Sequence, residues 1–140
     1  FFYAMILILE ISYDNIKLKG VYMKKLGVNT AGGVLDIIGA VLYFIALFVI
    51  LGSAVTEAVT TGSTDTSNTL ATVFLVYAAV CVLIHIIGLV QSRKVGIKLV
   101  GNILGIIGHA VYLFFGAILG WVAMILVIIS AVFTLKDNKY

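Results

Sequence analysis

LVGNILGIIGHAVYLFFGAILGWVAMILVIISAVFTL, residues 99–135, runs for 37 residues without an Asp, Glu, Lys or Arg. A helix crosses about 30 Å of hydrocarbon with about 20 apolar residues. One straight helix of this length would overshoot by about 25 Å at about 1.5 Å per residue. Two helices joined by a tight turn fit better. Gly116 and Gly120, within FFGAILGW at residues 114–121, mark that turn. The competing arrangement is a re-entrant hairpin that stops short of the far side, and its irregular backbone would have to be buried in protein.

Two more stretches have the same character. Residues 34–55 carry one charge, Asp36, and residues 70–90 carry none apart from His85. The whole chain is 63% hydrophobic and 11% charged over 140 residues, which is bilayer composition for one domain. The spacing therefore predicts an all-α, four-helix transmembrane bundle, with spans at about 34–55, 70–90, 99–115 and 119–135.

The charges give the orientation. Lys17, Lys19, Lys24 and Lys25 precede span one, Arg93, Lys94 and Lys98 separate spans two and three, and Lys136 and Lys139 follow span four. The Thr-rich connector at 56–69 and the turn near Gly116 carry no basic residue. Basic loops stay cytoplasmic, so both termini are expected inside and the Thr-rich connector outside, as a solvated loop. Its Ser67-Asn68-Thr69 end offers an N-cap for span two. Trp121 suits the outer interface. Arg93, Lys94 and Lys98 are expected to meet anionic headgroups. Membrane attachment, rather than nucleic acid, explains the net charge of +3.

Residues 1–22 read as a short N-terminal extension. Their apolar run, 1–9, is too short to span and precedes its basic residues, the reverse of a signal peptide. Lys-Gly-Val before Met23 can be encoded with an AAGGAG-type ribosome-binding sequence. The expectation is a translated leader ahead of a start at Met23, with an interfacial helix as the alternative.

Polar residues at membrane depth each need a reason. Asp36, His85 and Asn102 fall at a similar level and form a candidate inner polar layer. His109 lies deeper, with Tyr43 as its candidate partner. The Asp36–His85 pair serves as a protonatable site, or Asp36 stays at the headgroups or the positive helix N-terminus while His85 and Asn102 hydrogen-bond between helices. His109 is expected as a hydrogen-bonded packing residue. Two histidines and one cysteine on different helices do not by themselves make a metal site, so no metal and no cofactor is expected. Gly101, Gly105, Gly108 and Tyr112 share one helical face. That stripe is expected to pack on span one, with a homodimer contact as the alternative. It lacks the pattern of a nucleotide-binding loop. No nucleophile triad, paired carboxylates or soluble domain points to an enzyme, and no catalytic residue is assigned.

MKKLGVNTAGGVLDIIGAVLYFIALFVI, then RKVGIKLVGNILGIIG, then WVAMILVIISAVFTLKDNKY with its short charged tail, resemble the small four-span membrane proteins of Gram-positive bacteria grouped as a domain of unknown function. The resemblance covers Met23–Tyr140 and implies a bacterial plasma-membrane location. The expected role is a non-enzymatic accessory, sensor or immunity-type subunit with a membrane-protein partner. A homodimeric proton-coupled transporter and a holin-like pore former are the alternatives.

Overall fold

A computed structural model describes residues 24–62 and 65–140. The expectations for residues 1–22 and for a start at Met23 lie outside the described residues. Among the described residues the regular structure is entirely helical. Helix α1 spans Gly27–Thr60, α2 Asp65–Val95, α3 Val100–Phe115 and α4 Gly120–Lys136, with a 3-10 turn at Gly116–Leu119. Three stretches are long and apolar enough to cross a membrane: Gly27–Thr60, Asp65–Val95 and the interrupted Val100–Lys136.

The interruption falls inside the 114–121 stretch. Gly116 has a φ of 60°, a conformation that side chains with a Cβ avoid. The chain reverses there, and α3 packs antiparallel on α4. Gly101 lies against Thr134 and Gly108 against Val127. α1 packs on α2 and α4, and α2 packs on α3.

The helices outrun the expected spans. α1 begins seven residues earlier, at Gly27, and continues through Thr60 into the supposed loop. The Thr56, Thr60 and Thr61 hydroxyls donate to carbonyls one turn back, at Gly52, Thr56 and Glu57. Hydroxyls satisfied this way tolerate a helix interior. α2 starts at Asp65, ahead of the Ser67-Asn68-Thr69 cap. The Glu57 carboxylate at the end of α1 accepts the Thr66 and Ser67 N–H groups at 2.6 and 3.1 Å. A carboxylate at a helix N-terminus suits both the free N–H groups and the helix dipole.

Burial is inverted relative to a water-soluble core. Phe44, Phe48, Leu83, Phe114 and Ile118 face outward, whereas the buried set is rich in Ala, Ser, Asn, His and Tyr. Large apolar side chains outside and small or polar ones between helices are what lipid as solvent favours. The interior is also divided along its length. Asn29, Asp36, His85, Ser92, Asn102, His109, Ser130 and Thr134 are buried toward the end that carries both described chain ends. Ala46, Ala78, Ala123 and Val127, packed with Tyr43 and Tyr112, fill the other half. At the polar end, Lys24 and Tyr140 exchange backbone hydrogen bonds at 3.2 and 3.1 Å, and Lys98 lies 3.8 Å from Asp137.

Candidate functional site: a carboxylate joined to three other helices

Asp36 is the centre of the polar half and has no exposed surface. It stands nine residues beyond the start of α1 at Gly27, and His109 stands nine beyond the start of α3 at Val100. At about 1.5 Å per residue both are about 14 Å into their helices. The expected inner layer and the expected deeper pair are therefore one site.

Each other helix supplies one donor to this carboxylate. His85 Nε2, from α2, lies 2.8 Å from Asp36 Oδ1. His109 Nε2, from α3, lies 2.9 Å from the same oxygen. Ser130 Oγ, from α4, donates to Oδ2 at 2.5 Å and also approaches the Gly101 carbonyl at 2.9 Å. Nothing in a hydrocarbon interior can replace these partners, so the four groups hold one another in place.

The outer ring nitrogens are held as well. His109 Nδ1 meets the Tyr43 hydroxyl at 2.5 Å, and Tyr43 stacks on Tyr112 with centroids 4.0 Å apart. A neutral His109 satisfies both contacts by donating from Nε2 and accepting Tyr43 O–H at Nδ1. His85 is different. Its Nδ1 faces Asn102 Oδ1 at 3.2 Å. The Asn102 amide is oriented by its other end, where Nδ2 donates to Asn29 Oδ1 and to Ser92 Oγ, each at 3.2 Å. Asn29 Nδ2 donates to the same Ser92 oxygen at 2.7 Å. Both nitrogens of His85 thus face acceptors. A neutral imidazole carries one N–H, so with the Asn102 amide placed this way His85 and Asp36 share one further proton, on Nε2 or on the carboxylate, or hold a cation in its place. Turning both Asn amides over would present Asn102 Nδ2 to His85 and suit a neutral ring. Cation occupancy at Asp36 and the amide register at the α1–α2–α3 seam are therefore coupled.

The glycines make these contacts possible. A Cβ on Gly105 would sit 2.5 Å from His85 Cε1, and one on Gly88 would sit 2.7 Å from Asn102 Oδ1. The Gly101, Gly105 and Gly108 stripe packs on α4 and α2 rather than on α1, because Thr134, His85 and Val127 are what the missing side chains uncover. Tyr112 alone of the four reaches α1, through Tyr43. The whole stripe is buried inside the chain. Arg93, Lys94 and Lys98 lie outside the site, exposed at the polar end. Asn29, Ser92 and Ser130 belong to the site without having been singled out in the sequence. Ser130 had a signal: it is the one hydroxyl or amide residue between Gly120 and Phe133.

The chain is thus an all-α protein with membrane-spanning character and a buried Asp–His–His–Ser centre. No protein-family model, curated protein or solved structure matches it.

Proposed function

We propose that this is a four-span membrane protein with both termini cytoplasmic, acting as a cation-responsive sensor or accessory subunit. Occupancy of the Asp36 centre by a cation sets how its four helices are clasped, and a membrane-protein partner reads that arrangement. The observation that carries this reading is the carboxylate that takes one hydrogen bond from each of the other three helices. The basic residues gathered at the polar end support a cytoplasmic placement of that end.

The division of the interior favours a sensor over a transporter. Polar side chains link Asn29 to Tyr43, and beyond them Ala46, Ala78, Ala123 and Val127 close the helices with small apolar contacts. Among the described residues the hydrogen-bonded chain around Asp36 ends at Tyr43, which stacks on Tyr112, and the buried side chains just beyond are small and apolar; Ser67 is buried further on, in the first turn of α2.

Hydrogen exchange in nanodiscs tests the reading, with Asp36→Asn and His85→Gln against wild type. Faster exchange is expected in the α1, α2 and α3 segments around Asn29, Ser92 and Asn102, with the Ala-rich half unchanged. Unchanged exchange in both variants overturns the sensor reading. Asp36-dependent proton or metal flux in proteoliposomes would move the assignment to a transporter.

A further inference from the structure

We infer that the Asp36–His85–His109 centre binds one zinc-class divalent metal ion through Asp36 Oδ1, His85 Nε2 and His109 Nε2. This rests on the cation reading above and names the cation. The three ligand atoms come from three helices, all from buried side chains, and lie within 4.8 Å of one another. Their Nε2–Oδ1 separations are 2.8 and 2.9 Å. Two ligands on a tetrahedral zinc, each about 2.0–2.1 Å from the metal, stand about 3.3 Å apart. Each imidazole therefore has to withdraw by only about half an ångström.

The surroundings are those of metal-bound imidazoles. Such rings direct the second nitrogen at a carbonyl, carboxylate or water that fixes their orientation. His85 Nδ1 lies on the Asn102 amide oxygen, and His109 Nδ1 meets the Tyr43 hydroxyl, which would have to turn from donor to acceptor when the metal binds. Ser130 holds Asp36 Oδ2, so the carboxylate binds through one oxygen. Two imidazoles and one carboxylate suit zinc, cobalt, nickel or ferrous iron rather than magnesium or calcium, which prefer oxygen.

The exchange balances. Before binding, His85 carries two ring protons, His109 one at Nε2, and Asp36 none. After binding, His85 keeps Nδ1–H, donated to Asn102, and His109 holds its proton at Nδ1, donated to Tyr43. One proton leaves for each metal ion that enters.

His85 and His109 are the chain's 2 histidines, so any two-imidazole signature reports this centre. Full-length protein, purified without a histidine tag and stripped of metal, would be dialysed against micromolar Zn2+ or Co2+. One ion per chain is expected, with visible d–d absorption from Co2+ and X-ray absorption at zinc showing two imidazoles at about 2.0–2.1 Å. Asp36→Asn and His109→Gln should each lower affinity at least about tenfold, and Glu57→Gln should leave it unchanged. Folded wild-type protein that takes up no metal overturns the inference, whatever the variants do. Metal uptake retained in both variants, or a spectrum without imidazoles, also overturns it. The hydrogen-exchange comparison is made without metal, so it judges the cation-responsive reading separately.

Discussion

Gly105→Ala adds one methyl group directly against the His85 ring. Its Cβ would fall 2.5 Å from both Cε1 and Nε2 of His85 and 2.7 Å from Cδ2. Non-bonded carbons rest at about 3.5–4.0 Å, so the ring has to move about 1 Å. It has little freedom to do so, because it is fixed to Asp36 at 2.8 Å and to Asn102 at 3.2 Å. Overpacking of this kind costs about 1–3 kcal/mol. Weakening two hydrogen bonds between helices adds about 0.6 kcal/mol each. The expected loss is about 2–4 kcal/mol. Gly52→Ala is the matched control, since Gly52 is also helical and has nothing within 4 Å of its would-be Cβ. Unfolding would be followed in mixed micelles by titration with a denaturing detergent, using Trp121 fluorescence and helical circular dichroism together. Loss of stability in Gly105→Ala within about 0.5 kcal/mol of that in Gly52→Ala, the usual scatter of harmless substitutions, would refute the wedged position of His85.

Ser130→Ala removes the α4 donor to Asp36 Oδ2 and should lower stability by about 0.5–2 kcal/mol in the same titration, mainly by freeing α4. Tyr43→Phe deletes the hydroxyl at His109 Nδ1 but keeps the stack on Tyr112. It should leave helical content intact and alter the chemical shift of the His109 ring nitrogens, seen by nitrogen NMR. Hydrogen bonds from Thr66 and Ser67 hold the Glu57 carboxyl down from 4.5 to about 2. A lowered folded-state value means that its capping contribution is complete above about 4.5 and is lost as the pH falls toward 2. Carbon NMR of the Glu57 carboxyl should show that low midpoint, and Glu57→Gln should remove the acid dependence of amide protection at Thr66 and Ser67. Asn138 bonds to both backbone groups of Leu26 and to the Thr30 hydroxyl. Asn138→Ala should speed amide exchange at Lys24 and Tyr140 and lower stability by about 1–3 kcal/mol, because a buried side chain and its bonds to Leu26 and Thr30 are lost.

Much of the architecture was legible in the order of residues. Long apolar runs force helices, because a backbone in hydrocarbon must satisfy its own hydrogen bonds. Gly116 and Gly120 located the break between α3 and α4. The ends of α1 and α2 were less legible. Thr-rich sequence reads as loop by composition, yet its hydroxyls bond back onto the preceding turn. The Glu57 cap joins residues nine apart through a connection whose path local sequence does not set.

The candidate site was legible as a set of residue types and not as a set of contacts. Asp36, His85, Asn102, His109 and Tyr43 stand out because ionisable and amide groups in apolar runs demand partners. Their depth followed from assumed span ends, and starting α1 at residue 34 rather than at Gly27 separated Asp36 from His109 by most of two turns. Which glycines face which helix was equally open. A small-residue stripe permits close approach without choosing the neighbour, and the choice of α2 and α4 came from packing. That the chain is helical, suited to lipid and polar at a few interior points follows from local composition and period. That one carboxylate meets two imidazoles and a hydroxyl from three other helices depends on the rotation and register of each helix against the rest, which no local stretch of residues sets.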